Sequence, residues 1–432
     1  DWTDDQRRAA LSELSTDTQR QHAQYFTPAA IAELMASMLA PRGGAYRLLD
    51  AGAGIGVLAA AGVARLASSS PRPTSLHVTA YEIDPALEPR LRAVLDNCAT
   101  FAAEREVPFT FEIRSRDFLD HARDLLIDSN DRYDGVILNP PYGKIGTDSE
   151  PRIQARALGV EVPNLYAAFM AGAIRLARPG ADFVAITPRS FCNGTYFKPF
   201  RRFMLGSAAI RRLHVFDARN EAFSEQTVLQ ENLVTHLAVG GKPEPVVVTA
   251  QAAPGASVRK RTVPYERIIS PTDPERFIHV VPDPSSDLAA SFMDALPCGL
   301  DDLEISVSTG PVVDFRAIDL LRADPDDGTV PLLYPSHLRD GIVAWASKNG
   351  KKLTSISEQG ASARRLLVPD GHYVLVKRFT AKEERRRVVA ALYAGDPSSS
   401  HRVAIENHLN YLHARGRPLG RDLAIGLVVY LN

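Results

Sequence analysis

The tetrapeptide Asn139-Pro140-Pro141-Tyr142, set directly after the apolar run Val136-Ile137-Leu138, is the sharpest chemical signal in the 432-residue sequence. Two successive prolines cannot continue a central strand, so the tetrapeptide reads as a stiff turn at a strand's carboxyl end. The Asn139 side-chain oxygen and the Pro140 carbonyl can both accept hydrogen bonds from one exocyclic amine, and the Tyr142 ring offers a stacking surface. Holding both amine hydrogens draws the nitrogen toward tetrahedral geometry and localises its lone pair, which suits attack on an electrophilic methyl group. A second constellation is Asp50-Ala51-Gly52-Ala53-Gly54-Ile55-Gly56. Glycine at alternate positions lets the backbone approach a ligand where a Cβ would clash, and the helix start that follows favours a negative group. In the dinucleotide fingerprint the third glycine would fall at Val57; the GxGxG spacing found here points away from nicotinamide cofactors and toward S-adenosylmethionine. Glu82, at the end of the next apolar run, is placed to take both ribose hydroxyls. Asp117 can accept from the adenine amine, beside a Phe118 ring that can stack on the adenine face.

These residues need a scaffold that brings distant segments to one edge. From about residue 47 to 240 short apolar runs alternate with longer helix-like stretches, the signature of an open α/β sheet. Seven strands are expected: Arg47–Ala51, His77–Ile83, Phe109–Arg114, Gly135–Leu138, Phe183–Ile186, Arg212–Phe216 and Leu233–Val239. The chemical residues all fall at or just after strand ends, where open sheets bind ligands. Ahead of them, Thr27 reads as the N-cap and Pro28 as the first residue of a helix, with Ile31, Leu34, Met35 and Met38 at helical spacing.

The length suits two or three domains, and 45% hydrophobic with 23% charged residues is the balance of an ordinary folded chain rather than a disordered or repetitive one. Pro and Gly accumulate between about 240 and 275. The expected division is therefore a catalytic domain over 1–245 with an N-terminal helical segment over 1–45, a linker region over 246–275, and a second domain over 276–432. The whole chain carries a formal charge of -1, but residues 331–432 carry +8, leaving -9 on the rest. A uniformly basic protein is excluded, whereas a local phosphate-binding face is not. No apolar run approaches the ~20 residues of a membrane span, and no secretion signal is visible, so no membrane partner and a cytoplasmic, nucleoid-associated location are expected. Cys98, Cys192 and Cys298 show no metal spacing and read as buried small hydrophobes; no metal is expected. The ending Leu427–Asn432 reads as an apolar strand without a polar tail, which leaves room for the natural chain to continue.

Thr27-Pro28, the Asp50–Gly56 loop, Glu82, Asp117-Phe118 and the Asn139–Tyr142 turn occur in an order that resembles the amino methyltransferases of restriction-modification systems that modify adenine at N6, especially the TaqI methyltransferase group. The resemblance spans residues 22 to about 240. It implies a seven-stranded doubly wound class I methyltransferase sheet, followed by a C-terminal α/β or mixed domain that recognises duplex DNA held in the cleft between the two. Thr27 and the loop from Asp50 to Gly56 would then hold the methionine moiety of S-adenosylmethionine; Asp50 stands where the TaqI enzyme has a glutamate. Phe197, in Gly194–Phe203, would press on the second face of a flipped base, with Tyr196 as the substitute. The wording around Val376–Phe379 and Glu406–Asn410 is similar to the PstI and BsuBI type methyltransferases. A separate cognate restriction endonuclease acting on the same site is an implied partner. The alternatives are a methyltransferase acting on an RNA base or a release-factor glutamine, and an inactive subunit that only binds DNA.

Overall fold

The structure, a computed structural model, describes residues 27–432 apart from 129–131, 217–230, 253–255, 281, 283–291, 293–294, 324–326, 346–347, 350–351, 381–385 and 399. Residues 1–26 of the expected N-terminal helical segment thus lie outside the described residues. The chain divides into two compact units, Asp1–Ala290 and Ser291–Asn432.

The first unit is built on one nine-stranded sheet. Its strands are β1 (Ala45–Ala51), β2 (Ser75–Tyr81), β3 (Phe109–Arg114), β4 (Tyr133–Leu138), β5 (Ala177–Pro188), β6 (Ala208–Phe216), β7 (Asn232–Val239), β8 (Val246–Gln251) and β9 (Arg259–Val263), in spatial order β3-β2-β1-β4-β5-β7-β6-β8-β9. Strands β1 to β5 pair in parallel, and β7 runs antiparallel to both β5 and β6. The expected class I methyltransferase sheet is present. All seven expected strands are there, and β5 starts earlier than expected, through the exposed residues Arg178, Pro179 and Gly180.

Alternation along the strands sends side chains to two apolar layers. Leu48, Ile137, Val184 and Ile186 face helices α1 (Ala29–Ala36), α2 (Val57–Ala67) and α3 (Glu88–Ala103). Leu49, Val136, Leu138, Phe183 and Ala185 face α4 (Phe118–Asp128), α5 (Glu150–Ala157), α6 (Leu165–Leu176) and α7 (Lys198–Ser207). Strands covered on both faces read as continuous apolar runs, which is why β4 is buried throughout. Helix α6 is buried over nearly its whole length, as a helix apolar all round must be.

The segment 246–275 is not a linker. It supplies β8 and β9 to the same sheet, and Pro264 caps the short helix Tyr265–Ile268 that follows β9. The division between units falls near residue 290 instead.

The second unit is mixed and mostly β. One sheet orders Ser306–Thr309, Leu409–His413, His372–Lys377, Ala390–Ala394, Ile342–Val343 and Leu338–Arg339; a second orders Leu321–Arg322, Ser355–Ser357, Thr329–Leu333, Arg402–Ile405 and Leu367–Pro369. The ending expected as a strand is a helix, Arg421–Leu431. Its β-branched residues are outvoted by packing: Ala424 and Val428, one turn apart, join Val374, Ala390 and Leu412 in a small core. Cys98 and Cys192 are buried as expected, but Cys298 is exposed. Among the described residues no helix is long and apolar enough to cross a membrane.

Candidate active site

The order of strands reverses between β1 and β4, and at that switch point a doubly wound sheet leaves a crevice beyond its carboxyl ends. The loop after β1 and the turn after β4 meet there. An added Cβ on Gly52 would lie 3.8 Å from Pro141 and 4.0 Å from the Asn139 carbonyl oxygen, so the two segments are neighbours. Gly52, Gly54 and Gly56 have φ of 86°, 57° and 87°, values that other residues rarely adopt. At Gly56 the restriction is also spatial, because a Cβ would stand 2.8 Å from Leu91 Cδ1 on α3. The loop folds back on the end of β2: the amides of Gly52 and Ala53 donate to the Tyr81 carbonyl at 3.0 and 2.7 Å.

Two acids brace this loop. Asp50 is fully buried, and its Oδ2 accepts from the Ala59 amide at 3.1 Å, tying β1 to the first turn of α2. Its Oδ1 is buried with no hydrogen-bond partner, and burial pushes the carboxyl up to about 7. Glu82 is 7% exposed; Oε2 accepts from the Gly54 amide and Oε1 from the Asp84 amide, both at 2.8 Å. Burial raises its pKa, against the two amide bonds. The residue after it, Ile83, is 59% exposed and puts an apolar surface at the strand end. Sequence reasoning passed over Ile83; its signal was an apolar side chain just past a buried acid.

At the β4 turn, Asn139 is held from both ends of its amide. Nδ2 donates to Thr27 Oγ1 at 3.1 Å, and Oδ1 accepts from the Tyr142 hydroxyl at 2.7 Å. The same hydroxyl lies 3.2 Å from the Ile186 carbonyl on β5. Pro140 is buried, while Asn139 and Tyr142 are half-buried. Thr27 is therefore not the N-cap that the sequence suggested. Helix α1 begins at Ala29 with Pro28 in the cap position, and the Thr27 hydroxyl is turned to Asn139, 112 residues along the chain.

Two aromatic expectations need correction. Phe118 is 2% exposed, packed edge-on to Tyr81 at 5.1 Å and against Phe169 at 5.3 Å, so it presents no face for an adenine ring to stack on. Asp117 is half-buried beside it, and its Oδ1 caps α4 by accepting from the Leu119 and Asp120 amides at 2.7 and 3.2 Å. Phe197 is 7% exposed and stacked on Tyr166 at 5.7 Å, whereas Tyr196 beside it is 84% exposed. Tyr166 in turn meets Tyr142 edge-on at 6.4 Å. The ring that stands open at this loop is Tyr196. The loop is pinned from below by Arg201, fully buried on α7, whose Nη1 donates to the carbonyls of Phe191 and Gly194 at 3.0 and 2.7 Å and whose Nε donates to that of Glu275 at 3.0 Å. A buried arginine has no periodic signal in sequence, and only the fold reveals its partners.

Thus Thr27, Asp50 with the glycine loop, Glu82 and Asn139–Tyr142 converge on the sheet's carboxyl edge, while Phe118 and Phe197 belong to the core. Against known proteins, residues 96–223 match the family model described as Eco57I restriction-modification methylase. The chain is 39% identical to the type II methyltransferase M.PstI of Providencia stuartii, over 99% of this chain and 84% of that protein. It is 38% identical to the type II methyltransferase M.BsuBI of Bacillus subtilis, over 95% of this chain and 81% of that one. Among solved structures, the type IIL restriction-modification enzyme MmeI in complex with DNA superposes with a TM-score of 0.53 at 10% identity, covering 92% of this chain and 59% of that one. At these levels the structural likeness speaks for the fold alone; the full-length identities to M.PstI and M.BsuBI show that the chain belongs to the family of type II restriction-modification methyltransferases.

Proposed function

We propose that the protein is a site-specific DNA methyltransferase that uses S-adenosylmethionine to methylate N6 of an adenine flipped out of duplex DNA, as the modification half of a restriction-modification system. The observation that carries this reading is the Asn139-Pro140-Pro141-Tyr142 turn, standing at the switch point beside the Gly52 loop with the Asn139 amide held between Thr27 and Tyr142. The family, with its type II methyltransferase relatives, supports the restriction-modification setting.

The residues present fit S-adenosylmethionine. The orphaned, buried Oδ1 of Asp50 suits a cationic amino group, the glycine loop leaves room where a Cβ would project, and Glu82 with Ile83 offers acceptors beside an apolar surface. When bound, the cofactor supplies a methyl group on a sulfonium centre. The chain's own part is to prepare the amine. An amide oxygen has two lone pairs, so Asn139 Oδ1 can accept from an amine hydrogen as well as from Tyr142, and the Pro140 carbonyl takes the other hydrogen. Both acceptors strengthen as the nitrogen becomes tetrahedral, and their placement on a double-proline turn means little reorganisation at that moment. The target amine is buried in duplex DNA, so the base must leave the stack, and the aromatic Tyr142 and Tyr196 provide surfaces that offset unstacking. The stretch 331–432, which carries +8, supplies the phosphate-facing charge.

The test is methyl transfer to duplex DNA followed by digestion to nucleosides. N6-methyladenine is the expected product, and Asn139→Ala should slow single-turnover transfer on the order of 10²–10³ with DNA and cofactor binding retained. A methyl group on cytosine N4, transfer to RNA in preference to DNA, or full activity in Asn139→Ala would refute the reading.

A further inference from the structure

The second unit displays an imidazole on a rigid turn, with an arginine and a phenylalanine beside it. Between strands Arg402–Ile405 and Leu409–His413, the segment Glu406-Asn407-His408-Leu409 closes with the Leu409 amide on the Glu406 carbonyl at 3.0 Å. It is clamped from both sides: the Asn407 amide donates to Val312 O at 2.8 Å, and the Arg378 amide donates to His408 O at 3.0 Å. The backbone packs so tightly that a Cβ on Gly310 would stand 2.2 Å from the Glu406 carbonyl oxygen. The Glu406 side chain is wholly buried, and its carboxylate accepts from the His408 amide at 3.0 Å and from His408 Nδ1. His408 itself is exposed. Phe379, 66% exposed, lies 5.8 Å from the imidazole, and the Arg378 guanidinium sits over the Phe379 ring with Nη1 donating to Asn407 O at 2.7 Å.

Burying a carboxylate is costly unless its oxygens are satisfied. Here the groups that satisfy it belong to the turn it supports, and one of them is an exposed imidazole. The arrangement requires the Nδ1 hydrogen to point inward, which fixes the ring plane and aims Nε2 to the outside. A phosphate contact needs charge at a point and gains nothing from a fixed ring plane, whereas reading the edge of a base pair depends on direction. Arg378, bonded at one nitrogen and laid on an aromatic face, is restrained in the same way.

We propose that this turn, with Arg378 and Phe379 beside it, reads base edges in the DNA site, His408 being a specificity-determining residue and Glu406 its positioning residue. The inference rests on the DNA-methyltransferase reading above. To test it, genomic DNA methylated in vitro by the wild-type protein is sequenced for modified bases to define the site, and duplexes differing from it at one base pair each are then assayed with His408→Ala and Glu406→Gln. In His408→Ala, discrimination at one base-pair position should fall roughly ten- to hundredfold while other positions keep theirs. Glu406→Gln should relax the same position less, since an amide oxygen still accepts from the ring. Cofactor affinity, measured as a shift in Tm, should stay unchanged and shows that the variants fold; His408→Ala alters an exposed residue and decides the matter even if Glu406→Gln does not fold. A uniform loss over all duplexes with a salt slope reduced by about one would mark a phosphate contact and overturn the proposal. Unchanged discrimination would overturn it too. Failure of the wild-type protein to methylate any DNA would overturn the functional reading itself, and this proposal with it.

Discussion

Replacing Thr27 with valine removes one hydroxyl and almost no volume, and the structure says where the effect must appear. Thr27 Oγ1 is 4% exposed as part of its residue and accepts from Asn139 Nδ2 at 3.1 Å, so the variant takes an acceptor from a half-buried amide while leaving the packing around α1 in place. A hydrogen bond of this kind is worth about 0.5–1.5 kcal/mol. The Tyr142 hydroxyl, shared between Asn139 Oδ1 and the Ile186 carbonyl, bears on the oxygen end of the amide and not on its nitrogen. With about 1.4 kcal/mol per factor of ten, single-turnover methyl transfer should slow about tenfold. Thr27→Ser should restore most of the rate. Binding of S-adenosylmethionine, followed by titration calorimetry, should change less than twofold, and DNA affinity likewise. The opposite pattern refutes the reasoning: a weakened cofactor Kd with a normal rate at saturation would assign Thr27 to the methionine moiety, as the family resemblance implies.

Asp50→Asn should remove a pH dependence. Burial holds the carboxyl at about 7 against an ordinary 3.8, so the folded state keeps a proton that the unfolded state loses; stability therefore falls as pH rises from about 4 to 7 and levels off above, by up to roughly 4 kcal/mol. Urea unfolding of the wild type across that range should show the slope and the Asn variant should lack it; parallel curves would refute the assignment. Arg201→Met keeps the bulk but strips three carbonyl oxygens of a donor, so it should cost about 3 kcal/mol or more in urea unfolding, and a loss below 1 kcal/mol would mean that the loop stands without it.

The sheet was legible because burial on both faces writes itself as apolar runs. Val136-Ile137-Leu138 is buried on either side, and neither Phe109–Arg114 nor the glycine loop needed tertiary information to be found. Legibility failed where packing overrode a local preference. Leu427 to Leu431 carries strand-forming residues, yet the segment is helical, with Ala424 and Val428 one turn apart in a core shared with Val374, Ala390 and Leu412. Pro and Gly between 240 and 275 looked like a linker because they punctuate turns equally well inside a sheet as between domains.

At the site the limit was of a different kind. Residue types announced the chemistry of Asn139 and Asp50, but the bond from Thr27 to Asn139 spans 112 residues and leaves no spacing to detect. The choice between Tyr196 and Phe197 turns on phase. They are adjacent in a short 3-10 turn, Thr195–Phe197, that runs straight into α7, so one ring must point in and the other out. Which is which depends on Tyr166, whose hydroxyl meets Ser190 Oγ at 2.9 Å and whose ring takes Phe197 as a stacking partner. The aromatic pair is visible in the sequence, but it is Tyr166, on the helix behind the Tyr142 turn, that decides which ring packs and which stands open.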